Sequence, residues 1–85
     1  MPETRYWNDG AARQGLMEQG RAVLAGLRSE LGQSGVVAIE PQSGESFVGA
    51  TLGQANAAAY ARYPDRWLYF CRLDDENAEI VLPTW

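Results

Sequence analysis

The sequence predicts a small α+β domain, a two-layer fold in the order α-β-β-α-β with an extra closing strand. The sheet is expected to be mainly antiparallel and to carry both helices on one face. Three observations lead there. An apolar run over residues 36–39 meets Ser-Gly turn chemistry and returns as a second apolar run. A threonine cap opens an alanine-rich segment that stops at Tyr63-Pro64. An alternating aromatic run over 67–73 follows. A chain of 85 residues makes a single domain, 1–85, of which residues 1–8 read as an N-terminal tail.

The first helix is expected to begin at Asn8 or Asp9, whose side chains accept hydrogen bonds from the free N–H groups of a first turn. Leu16, Gly20, Val23, Leu24, Leu27 and Leu31 recur at helical spacing, while Glu18, Arg21, Arg28 and Glu30 mostly fall off that stripe. Gly32 is placed to end the helix. Gly15, Gly20 and Gly26 lie inside it, each costing about 1 kcal/mol relative to alanine. They either admit the close approach of another backbone or mark a helix held up by tertiary contacts.

Residues 36–40 are apolar on both alternate sets, as in a strand covered on both faces or central in its sheet. Pro41-Gln42-Ser43-Gly44-Glu45 is a turn, and 46–50 forms the second strand, with Gly49 marking a bulge or a close backbone approach. Thr51-Leu52-Gly53-Gln54 has the capping-box pattern. The helix behind it presents Leu52, Ala55, Ala59 and Tyr63 on one side, and a face of alanines lies close against a sheet. Pro64 ends it. In the third strand Trp67, Tyr69, Cys71 and Leu73 share one face, and Leu68, Phe70 and Arg72 the other. A polar turn over 74–77 then precedes a short strand over 78–82. A crossover through the second helix makes the third strand parallel to the second. Placing the third strand beside the first instead gives the spatial order 2-1-3-4 with every neighbouring pair antiparallel.

Composition excludes more than it assigns. The net charge is −4 and the seven positive charges are all arginine, scattered from Arg5 to Arg72 without a run or stripe. Direct nucleic-acid binding is disfavoured on that ground. No segment approaches membrane-spanning length and the N-terminus lacks a secretory pattern, so a cytoplasmic protein without a membrane partner is expected. The chain has no histidine and no lysine, which removes Ser-His and Cys-His nucleophiles and Schiff-base chemistry. Cys71 is the lone cysteine and reads as a small buried hydrophobe within its strand. Glu40 and Glu45 flank a turn at a solvated sheet end, a poor setting for driving two carboxylate pKa values apart. Asp74, Asp75 and Glu76 lack the spacing of a calcium loop. No catalytic residue, cofactor or metal site is expected, and the protein reads as a non-enzyme.

Val37-Ala38-Ile39-Glu40, Ser43-Gly44-Glu45-Ser46-Phe47-Val48-Gly49, Thr51-Leu52, Ala55, Ala59, Tyr63-Pro64-Asp65 and Tyr69-Phe70-Cys71-Arg72 carry a resemblance. Residues 16–73 resemble a family of small uncharacterised bacterial proteins with a leading helix and a V-A-I-x-x-x-S-G-x-x-F-x-G hairpin. A T-x-x-x-A-x-x-x-A helix ending in Tyr-Pro and a strand ending in Arg complete its pattern. Members are often encoded beside a small retropepsin-like aspartic protease, in a toxin–antitoxin-like arrangement. The resemblance implies a fold and a protein partner, not an activity. The chain departs from the family after Arg72, where Leu73-Asp74 stands in place of Ile-Gly. The neighbour's protease chemistry does not transfer, because Ser43-Gly44 follows Gln42 rather than an aspartate.

The remaining expectation concerns a surface. Trp7, Trp67, Tyr69 and Trp85 are more aromatic material than one thin core needs, and aromatic residues and arginine anchor protein contacts. Trp7, Trp67, Tyr69, Arg72 and Trp85 are therefore the candidate partner-binding residues, on an exposed β-layer. The partner expected is a cognate protein, with this chain as the antitoxin-like or regulatory half of a neighbouring-gene pair; the alternative is a self-associating, homodimeric structural domain.

Overall fold

The computed structural model describes residues 10–83, with side chains from residue 14 onward except at position 76. The elements are α1 (Gly10–Leu31), β1 (Val36–Glu40), β2 (Glu45–Gly49), α2 (Leu52–Arg62), β3 (Trp67–Arg72) and β4 (Asp75–Pro83). The four strands form one sheet in the order β2-β1-β3-β4, and every neighbouring pair is antiparallel. Fold class, strand order and pairing are those expected. The first-helix cap at Asn8 or Asp9 and the 1–8 tail lie outside the described residues.

The layering differs from the expectation of helices on one face. Side chains alternate across a strand, and the two alternate sets of β1 and β3 enter two separate cores. Val37, Ile39, Trp67, Tyr69 and Cys71 pack with Leu24, and with Leu16, Met17, Val23 and Leu31 of α1. Val36, Ala38, Leu68 and Phe70 pack with Ala55 and Ala59 of α2 and with Phe47. The helices therefore lie on opposite faces of the sheet, in three layers. The cause is visible in β1, buried at all five positions. A strand apolar on both sides needs a cover on each.

Local chemistry sets the boundaries. Gly32, at φ 78°, ends α1 where a side chain would be strained. Glu40 is only 3% exposed, contrary to the solvated turn carboxylate the sequence suggests. Its oxygens accept the N–H groups of Gln42 at 2.9 Å and Ser43 at 3.0 Å, so it closes the β1–β2 turn from inside. Thr51 Oγ1 accepts the Gln54 N–H at 3.2 Å, while Gln54 Oε1 accepts the Ala50 N–H at 2.9 Å. The reciprocal cap is present, reaching one residue further back than the usual box. A Cβ on Gly49 would stand 2.6 Å from the Ala55 nitrogen, so glycine there lets the first turn of α2 rest on the end of β2. At the other end of α2 the Tyr63 ring meets Phe47 edge-to-face at 6.2 Å and its hydroxyl donates to Glu45 at 2.7 Å.

The β3–β4 hairpin is tighter than the expected 74–77 turn. It turns at Leu73 and Asp74, and β4 starts at Asp75. Arg72 donates to both Asp74 oxygens, at 3.1 and 2.9 Å, and Asp75 Oδ1 accepts the Asn77 N–H at 3.0 Å. The acidic run is absorbed into the hairpin, with a register shift at Cys71/Arg72.

Candidate functional site

The residues singled out from sequence do not come together on one surface. Trp67 is 9% exposed and Tyr69 1% exposed, both in the core beneath α1. They form no open aromatic layer, because the apolar stripe of α1 lies over the face they share. Arg72 is exposed and held to Asp74 in a surface pair, a type of contact worth little on its own. Trp7 and Trp85 lie outside the described residues.

The structure gathers other groups around β4, an outer strand of the sheet. On the α1 side lies a groove of about 560 Å³ between Arg21, Leu24 and Arg28 of the helix and Tyr69, Asn77 and Glu79 of the sheet. Arg21 and Arg28 are seven residues apart, two helical turns, which brings both guanidinium groups to the same flank. Arg21 Nε donates to Glu79 Oε1 at 2.8 Å, and its Nη2 donates to the same oxygen. The Tyr69 hydroxyl donates to Glu79 Oε2 at 2.5 Å. Arg28 Nη2 donates to the Leu73 carbonyl at 2.7 Å.

These contacts fix the protonation states. The Arg21 hydrogen bonds hold the Glu79 carboxyl below its ordinary pKa against the opposing effect of burial, and the Tyr69 hydroxyl adds to the lowering. Burial, then the bond to Glu79, raises the Tyr69 phenol above its ordinary value. Glu79 is thus an anion already compensated by Arg21. Arg28 lines the same groove, with its Nη2 held by the Leu73 carbonyl.

On the α2 side of the same strand lies a mostly apolar groove of about 430 Å³, lined by Val36, Leu52, Phe70, Ala78 and Ile80 and also by Arg72, the one sequence-predicted contact residue found at it among those described. Leu52 is 41% and Ile80 45% exposed. Asn77 and Glu79 border both grooves, so the stretch 77–80 of β4 has a charged trough on one face and an apolar one on the other.

Glu40 is occupied by backbone donors and Glu45 by Arg62 and Tyr63. Among the described residues no cluster of three or more His, Cys, Asp or Glu side chains could hold a metal ion. No helix among them is long and apolar enough to cross a membrane. What the arrangement presents is an outer strand flanked by two grooves, one lined by charged and one mostly by apolar side chains.

Sequence reasoning passed over Arg21, Arg28, Leu52, Glu79 and Ile80. The seven-residue spacing of the two arginines was a usable signal. The role of Glu79 was not, since its partners are 10 and 58 residues away in sequence. Compared with protein-family models, curated proteins and solved structures, the chain matches none.

Proposed function

We propose that this protein is a non-enzymatic interaction module of the cytoplasm that binds a cognate protein through the β4 side of its sheet. The observation that carries the reading is the apolar groove beside an outer strand, with Leu52 and Ile80 each more than two-fifths exposed. Exposed apolar side chains gathered at a groove are typical of contact surfaces, whereas single ones need no explanation. Val48 and Tyr60, also half exposed, do not line it. The absence of histidine and lysine and the structural engagement of Glu40 and Glu45 support the non-catalytic part. The antitoxin-like or regulatory role rests on the resemblance of residues 16–73 alone, and names a neighbouring-gene product as the first partner to try.

The test is capture from the native host with the wild-type chain and with Ile80→Glu, which places a charge on the exposed side of the groove. A stoichiometric partner held by the wild type and lost by a folded Ile80→Glu supports the reading. Equal capture by both, or a wild type that stays alone, refutes it. Light scattering over a dilution series separates the homodimer alternative, in which mass falls from two chains to one.

A further inference from the structure

We draw no further inference here: the strongest candidate, the apolar groove on the α2 side of β4 with Leu52 and Ile80 exposed at it, belongs to the site already described, and nothing in the structure shows what covers it.

Discussion

Gly15, Gly20 and Gly26 lie in the interior of α1, and alanine at Gly20 should have the opposite consequence to alanine at the other two. A Cβ on Gly15 or Gly26 meets nothing within 4 Å, whereas a Cβ on Gly20 would stand 2.2 Å from Cγ, 2.4 Å from Cβ and 2.6 Å from Cδ2 of Tyr69. At Gly26 only the backbone effect operates, and Gly26→Ala should stabilise the protein by up to about 1 kcal/mol. Gly15→Ala should act in the same direction. At Gly20 that gain is set against a collision with the root of a core side chain. Rotating the Tyr69 ring does not move its Cβ or Cγ, the residue is 1% exposed, and its hydroxyl is tied to Glu79.

The helix must therefore retreat. Moving from 2.2 Å to the 3.4 Å where ordinary contact begins means withdrawing α1 by 1.2 Å, the difference of the two. That loosens Leu16, Met17, Val23 and Leu24 from the same cluster. Overpacking of this kind costs about 1–3 kcal/mol, and more where backbone must shift. Because the α1 backbone has to shift, the cost lies at the upper end, about 2–3 kcal/mol, and after a propensity gain of about 1 kcal/mol Gly20→Ala should be destabilised by about 1–2 kcal/mol. With a urea slope of about 1 kcal/mol/M for a domain this small, the midpoint falls by about 1–2 M. Urea titrations of wild type, Gly20→Ala and Gly26→Ala decide the matter. A Gly20→Ala midpoint at or above wild type, or the same direction of change at both sites, would refute the close packing of α1 on Tyr69.

Three further outcomes follow from individual contacts. Thr51→Ala should cost about 1 kcal/mol and Thr51→Ser much less, because the hydroxyl caps the Gln54 N–H; equal losses in thermal melts would remove the cap from the account. Glu79 has a folded pKa below its unfolded value of about 4.3, so its contribution is present above that pH and fades as pH falls through the lower folded value. Glu79→Gln should therefore be less stable than wild type at pH 7, with the gap narrowing on acidification. A gap that stays constant to about pH 3 contradicts the Arg21–Glu79 assignment. Cys71, 1% exposed, should react with a thiol reagent only as the chain unfolds, at a rate rising with denaturant; immediate labelling in native buffer would contradict its burial.

Local signals carried the fold, and the failures have a common origin. Thr51, Pro64, Gly32 and the turn at 41–45 act through their immediate neighbours, and each marked its boundary. The apolar run 36–39 also held the correct layering, since a strand buried on both alternate sets needs two covers. The one-face arrangement set that signal aside, and the misreading of Trp67 and Tyr69 came with it. With one face left bare, their rings became a surface; with α1 restored to it, they are the floor of a core. Glu40 failed for a related reason. A carboxylate beside a turn looks solvated in sequence, and only the path of the turn reveals two backbone donors closing over it.

The position of the candidate site follows from the same layering. Strands in a sheet lie about 4.8 Å apart, so four of them span about 14 Å between outer axes, whereas a helix with its side chains is about 10 Å across. Among the described residues, one helix per face leaves part of each face uncovered. α1 lies over β3, β1 and β4 on its side, and α2 over β2 and β1 on the other. The uncovered part on the α2 side falls at β4, with Ala78, Ile80 and Leu82 alternating along it; that on the α1 side falls at β2, with Ser46 and Val48. The first is a continuous apolar strip and the second a single valine beside a hydroxyl. A domain with no use for the β4 strip gains solubility from a polar residue at position 80, where the side chain is 45% exposed and contributes only part of its burial energy. Isoleucine at that position, beside a groove and an outer strand, is an apolar side chain that the core does not require.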